Sequence, residues 1–203
     1  MELARFLEPI REHDLRDVYT INHAELRDCL ASLRNDSTTV EFSEVNEHTN
    51  DGNRVRYSVN LYLDSGSVIF DKAMERWLSD NKRSLERPEV RAKVAFRVKF
   101  YCRSPFKGAG LATYLLPREE AVFRKWGARE IHVLAMEDGL WVWTRPRFGY
   151  RITEADFETL KQRHKDWQRA MGYAPTSEIN RLEDFPRNFL ETAVKFLPLF
   201  KVL

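Results

Sequence analysis

The sequence predicts an α/β or α+β layer fold. Segments of period-two apolar alternation recur along the chain, and segments of helical period lie between them. Glycine, proline or an Asn-Asp-Ser cluster punctuates most of the junctions. The chain has 203 residues, 43% hydrophobic and 12% aromatic, which suits a single domain over residues 1–203 with a helical extension at about 153–203.

Taken in order, residues 11–34 read as a helix, because Leu15, Val18, Asn22, Leu26, Cys29 or Leu30, and Leu33 recur at helical spacing among charges. Strands follow at 38–48 and 54–63, the second on the alternation Val55, Tyr57, Val59, Leu61, Leu63, and Asp51-Gly52 between them is a hairpin-turn signal. Residues 70–79 read as a helix, and 80–91, charged and carrying Pro88, as an exposed loop. The clearest strand runs from Arg91 to Cys102. It places Val94, Phe96, Val98, Phe100 and Cys102 on one face and Ala95, Arg97, Lys99 and Tyr101 on the other.

A glycine-rich segment leads into a helix that reaches about Trp126, with Leu111, Leu115, Val122 and Trp126 as its buried stripe, a kink at Pro117 and a stop at Gly127. A short strand at 130–136 follows, then an aromatic, arginine-bearing connection at 138–147 and another short strand from Phe148 to Ile152. Thr153 caps a long helix with the stripe Phe157, Leu160, His164, Trp167, Met171, on which His164 reads as a core residue. A proline-containing linker at 173–178 precedes a final helix near 186–197.

Composition excludes several function classes. With 33 basic and 31 acidic residues, the chain has no overall charge that would draw it to nucleic acid or an anionic membrane. Basic residues of the helices, Arg11, Arg16, Arg27 and Arg34 with Lys161, Arg163, Lys165 and Arg169, are interleaved with Asp and Glu and read as solvated faces. Cys29 and Cys102 form neither a disulfide framework nor a CxxC zinc pair, so no metal is expected. The start of the chain does not read as a signal peptide, and no apolar run is long enough to span a membrane, so a cytoplasmic location is expected. The apolar C-terminal residues leave packing on the sheet or on a second copy open.

One segment carries chemistry. Lys107-Gly108-Ala109-Gly110-Leu111-Ala112 sits where a strand gives way to a helix. A helix start presents unpaired amides and the positive end of the dipole, and a pyrophosphate can use both if nearby side chains are small. Gly108, Ala109, Gly110 and Ala112 meet that need, and Lys107 adds a charge. A Gly-x-Gly alone is also what a tight strand-to-helix turn requires. The segment lacks the Gly-Lys-Ser/Thr ending of a P-loop and the third glycine of a dinucleotide fold.

From Tyr101 to Ala112 the sequence resembles the acetyl-CoA-binding segment of the GNAT superfamily of N-acetyltransferases, whose pattern is Arg/Gln-x-x-Gly-x-Gly/Ala. Lys107 takes the basic place, Gly110 the glycine and Ala112 the small residue; lysine is a departure that keeps a donor and a charge. The helix to Gly127, the strand at 130–136, and Gly149-Tyr150 in place of a Gly-Phe extend the resemblance over about residues 92–152.

The resemblance implies a GNAT-like mixed central sheet flanked by helices, and an N-acetyltransferase that uses acetyl-CoA as acyl donor to a primary amine. In that family two neighbouring strands, here about 92–103 and 130–136, splay apart around the pantetheine. Tyr101, Cys102, Arg103, Lys107, Gly108, Ala109, Gly110, Leu111 and Ala112 are then the coenzyme-binding residues. A backbone N–H near Tyr101 to Arg103 polarises the thioester carbonyl, and the amine attacks directly. Glu137 and Asp138, just past the second strand, are candidates for the base, although the pair also reads as a solvated turn. His132, on that strand, reads better as a satisfied, partly buried histidine.

The family's tyrosine that protonates the departing thiolate has no counterpart in Trp141-Val142-Trp143-Thr144-Arg145-Pro146-Arg147; Tyr150, Tyr114 and Thr144 are substitutes, Tyr150 foremost. Trp141, Trp143 and Arg145 are candidates for the substrate pocket, and equally for an aromatic plug with arginines at the surface. The missing tyrosine leaves open a second reading, a GNAT-fold module that binds coenzyme A or a partner without turnover.

Overall fold

The computed structural model describes residues 17–19, 38–49, 52–63, 74–102, 110–175 and 178–203. It divides into two compact units, one of Met1–Lys82, Arg91–Arg129 and Leu203, the other of Arg83–Val90 and Glu130–Val202. Four strands come first in the element order, and helices then separate and flank two further strands; the fold is α/β (α+β), as the sequence predicts. Of the helix expected at 11–34, only 17–19 are described, and they are helical.

In the first unit, strands β1 (Thr38–Thr49), β2 (Gly52–Leu63), β3 (Met74–Arg83) and β4 (Arg91–Lys99) lie side by side in chain order. β1 and β2 are antiparallel, with Thr49 facing Gly52; Asp51 of the Asp51-Gly52 signal lies outside the described residues. β2 and β3 are antiparallel, with Val55 opposite Leu78, Tyr57 opposite Arg76 and Val59 opposite Met74. All six of these side chains are buried.

β3 corrects the helix expected at 70–79, whose first residues lie outside the described ones. Met74, Arg76 and Leu78 are buried and alternate with half-buried Glu75 and Trp77, which is the period of a strand. An arginine at an inward position hides that period in the sequence. The loop after β3 therefore shortens to residues 84–90.

β4 is covered on both sides. Val94 and Ala95 are fully buried, and Arg97, on the face of Ala95, is 3% exposed. Helix α1 (Leu111–Trp126) runs unbroken through the exposed Pro117 and ends at Gly127 in the left-handed region, φ 89°. Leu111, Leu115 and Trp126 are buried as expected; Phe123 rather than Val122 completes the stripe, and Glu119 and Glu120 are buried with it. Lys93 donates to the Trp126 carbonyl at 3.1 Å and lies over its ring.

In the second unit, β5 (Glu130–Met136) pairs antiparallel with β6 (Phe196–Val202). The final helix is shorter than expected: α4 covers Arg187–Ala193, and the chain then turns into β6, where Pro198 forbids a helix and Leu197 and Leu199 point inward. The expected connection at 138–147 begins with a short helix, α2 (Asp138–Trp143), followed by a 3-10 turn at Pro146–Phe148. The expected strand at 148–152 reduces to one antiparallel bridge, Arg151 to Phe200. Gly149, at φ 68°, turns the chain before a ladder can form.

Helix α3 (Glu154–Ala170) begins at Thr153, whose Oγ1 accepts the Asp156 amide at 3.2 Å. Its inner row is Leu160, His164 and Gln168, while Met171 is exposed, because the helix has ended before it. Phe157, Trp167, Phe185 and Phe189 pack around that row, Trp167 stacked on His164 and the other ring pairs edge-to-face or tilted. No helix among the described residues is long and apolar enough to cross a membrane.

Candidate functional site

Of the predicted coenzyme-binding residues, Tyr101 and Cys102 follow β4, and Gly110, Leu111 and Ala112 open α1 (Leu111–Trp126), all in the first unit. Tyr101 is 42% exposed and Cys102 half-buried. Arg103, Lys107, Gly108 and Ala109 lie outside the described residues. Gly110 is the residue on which α1 begins. Its φ of 80° is left-handed, which disfavours any side chain, and a Cβ built there meets no atom within 4 Å. No side chain of the described residues caps the helix, and its first turn holds no acidic residue that would occupy the positive end of the dipole. Leu111 is buried and anchors the turn; Ala112 is small and half-buried. The arrangement fits a bound phosphate.

The predicted acid–base residues belong to the second unit. Ile131, Val133 and Ala135 bury one face of β5, and Leu134 and Met136 are exposed on the other. The strand ends at Glu137, among the described residues the only non-glycine with positive φ (φ 50°, ψ −132°). Glu137 is exposed and does not cap α2 with its side chain. Its carbonyl accepts the Leu140 amide at 3.0 Å. Asp138 is the first residue of α2.

The aromatic segment divides in two. Trp143, 8% exposed, packs edge-on against Phe148 and Tyr150 at 5.3 and 5.5 Å, and a Cβ on Gly139 would come within 3.2 Å of its indole. Glycine at 139 is therefore what lets the indole close on α2. Trp141 is half-buried beneath the Arg145 guanidinium, 3.4 Å from its ring centroid. Arg145 also donates to the Trp141 carbonyl and to the Glu183 carbonyl, each at 3.3 Å. Burial pulls the Arg145 pKa below its usual range, and Glu183 opposes that. Tyr150, at 8% exposure, has its ring in this aromatic cluster.

Two buried polar clusters escaped the sequence reading. In the second unit Glu130 accepts from the Ser84 hydroxyl and, at 2.9 Å, from the Leu85 amide, and meets His132 Nε2 at 2.7 Å. Burial works to raise the Glu130 carboxyl, but the Ser84 and His132 hydrogen bonds hold it below the ordinary carboxylate value. His132 is thus a satisfied, buried histidine.

In the first unit Glu119 of α1, 1% exposed, takes three donors. Tyr19 OH donates to Oε1 at 2.7 Å, Arg76 Nε to Oε1 at 2.9 Å, and Arg97 Nε to Oε2 at 2.9 Å. Burial alone would raise the Glu119 carboxyl; the Arg76 and Arg97 guanidiniums bring it below its usual value. Tyr57, opposite Arg76 in the ladder, is pushed well above an ordinary phenol by burial and by Glu119. The sequence signal was faint: an inward arginine on each of two strands and a Glu-Glu pair in a helix. Among the described residues no three His, Cys, Asp or Glu side chains gather as a metal site.

No protein-family model and no curated protein matches the chain. Among solved structures it is similar to the crystal structure of a nourseothricin acetyltransferase, at 10% identity and a TM-score of 0.37, over 82% of this chain and 88% of that one.

Proposed function

We propose that the chain is an N-acetyltransferase of the GNAT type, a single acyltransferase-like domain over residues 1–203 whose coenzyme-binding core is about 92–152. Gly110 carries the reading. It is a left-handed, exposed glycine on which an uncapped helix begins, and it continues the segment that resembles the family's coenzyme loop. Acetyl-CoA supplies an activated thioester to a primary amine, and the amine attacks it directly.

The α1 amides at Leu111 and Ala112, with Gly108, Ala109 and Gly110 and the charge of Lys107, hold the pyrophosphate. The backbone of Tyr101, Cys102 and Arg103 holds the pantetheine amides and polarises the carbonyl. Glu137, or Asp138 beside it, takes the amine proton. The strained Glu137 backbone supports that part, since such strain persists where its surroundings impose it and clusters at functional positions. Tyr150 returns a proton to the thiolate, and Trp141, Trp143 and Arg145 line the acceptor side. The burial of Tyr150 favours a second reading, in which the same loop binds coenzyme A without turnover.

Calorimetric titration with coenzyme A tests the loop. Gly110→Glu places bulk and negative charge at the helix start and is expected to lose binding while the protein still melts cooperatively. Gly110→Ala imposes the same backbone strain without the charge and is expected to keep most of the affinity. Equal affinity in wild type and Gly110→Glu would contradict the proposal.

A further inference from the structure

The Glu119 cluster does more than neutralise buried charge. Arg76 is wholly buried on β3, with its Nε and Nη2 on Glu119 Oε1 at 2.9 and 2.8 Å. Its remaining nitrogen, Nη1, reaches the backbone. It donates to the Lys99 carbonyl at 2.6 Å and to the Glu75 carbonyl at 3.0 Å. Lys99 is the last residue of β4, and the chain then runs out of the ladder through Phe100 and Tyr101.

Two further contacts fix the same point. The Lys99 ammonium pairs with Glu75 at 2.8 Å, and the Arg76 guanidinium lies over the Phe100 ring, 5.6 Å from its centroid. Arg97, the second guanidinium on Glu119, reaches elsewhere: it donates to the Leu116 carbonyl of α1 at 3.1 Å. A guanidinium is a rigid planar fork, so Arg76 can serve a helix carboxylate and a strand-end carbonyl together, which a lysine ammonium cannot do in the same geometry.

We infer that Arg76 is a positioning residue for the coenzyme segment. Through Glu119 it is tied to α1, whose first turn begins at Gly110, and through the Lys99 carbonyl it sets the direction in which Phe100, Tyr101 and Cys102 leave β4. The inference rests on the proposed function for its consequence, because those are the residues proposed to meet the pantetheine. A charge-assisted hydrogen bond to a carbonyl at the end of a strand fixes where that carbonyl points. A shift of the backbone that follows by a fraction of an ångström is enough to misplace its amides against a bound ligand.

The test compares Arg76→Lys with Arg97→Lys in the full chain. Both keep a cation near Glu119 and both lose a fork, so both are expected to lower the melting temperature. Only Arg76→Lys is expected to speed amide hydrogen exchange at Phe100 to Cys102 and to weaken coenzyme A binding by about tenfold or more. Arg97→Lys is expected to stay within about twofold of wild type, since the Arg97 guanidinium is bonded to Glu119 and to the Leu116 carbonyl of α1, not to the strand-end carbonyl that Arg76 holds. If the two variants weaken binding alike, or neither speeds exchange at 100–102, Arg76 has only a structural role and the inference is overturned. If wild type does not bind coenzyme A, the proposed function fails, and the exchange comparison still decides whether Arg76 sets the strand end.

Discussion

Two residues show how far single positions can be read. Glu137 is exposed, in a backbone conformation that disfavours any residue with a Cβ. Conformations of this kind cost of order 1–3 kcal/mol. If the proposed base is right, Glu137→Gln is expected to lower turnover by about a hundredfold or more with coenzyme affinity retained. Glu137→Gly is expected to lose turnover as well and to gain up to about 1 kcal/mol of stability by relieving the strain. Full turnover in Glu137→Gln, measured by thiol release with a panel of amines, would remove Glu137 from the mechanism.

His164 is the opposite case, a residue whose role is packing. It is 1% exposed, its Nε2 has no hydrogen-bond partner, and Trp167, Phe185 and Phe189 enclose the ring. Burial holds its pKa below the ordinary imidazole value, so the folded protein keeps it neutral. The unfolded chain then binds the proton first. Stability from this site is complete above about pH 6.5 and is lost as the pH falls through the lower folded value. His164→Phe is expected to raise stability at neutral pH by about 1–2 kcal/mol and to flatten the acid limb. Urea midpoints at about pH 7 and about pH 5 measure both. An equally steep acid limb in the variant would place the sensitivity elsewhere. The helical stripe Leu160, His164, Trp167 made this residue legible as core; only the folded chain shows that nothing satisfies it.

At the scale of elements, what the sequence carried was period, and it failed where a buried charge broke the period. β2 and the first part of β4 were legible because their apolar residues alternate. β3 was not legible as a strand because Arg76 occupies an inward position, and on β4 Arg97 does the same. Both exceptions have one cause, the carboxylate of Glu119 in the facing helix, and no local pattern announces a partner 43 or 22 residues away. The failure itself was informative, since local rules break where a chain keeps a specific buried group.

Glu119→Gln keeps the shape and removes the anion that Arg76 and Arg97 share, so buried Arg76 loses its carboxylate while Arg97 keeps Glu120 at 3.5 Å. The expected cost is about 3–5 kcal/mol in a denaturant titration. A loss below about 1 kcal/mol would mean that the cluster is replaceable. The C-terminal segment was misread for another reason: Phe196 to Phe200 is apolar enough for either a helix or a strand, and the pairing with β5 decides.

For the whole molecule, the fold class was legible in segments of strand period and of helical period, and the proposed coenzyme segment rests on small residues at a predicted strand-to-helix junction. The structure adds that, among the described residues, the helix start at Gly110 is uncapped and has no acidic residue in its first turn. The acceptor side was less legible. Trp143, Phe148 and Tyr150 turn out to pack on one another, and Arg145 lies on Trp141 and on backbone carbonyls. A run of aromatics and arginines reads the same in a sequence whether it packs or binds.

The measurement that bears most directly on the central claim is coenzyme A binding by the intact chain, wild type against Gly110→Glu, followed by calorimetry and by thermal melting. The account predicts saturable binding by wild type, with stability rising by about 2.7 kcal/mol when free ligand reaches roughly a hundred times Kd, and no such rise in Gly110→Glu. Absence of binding by wild type, or the same rise in both proteins, would contradict it.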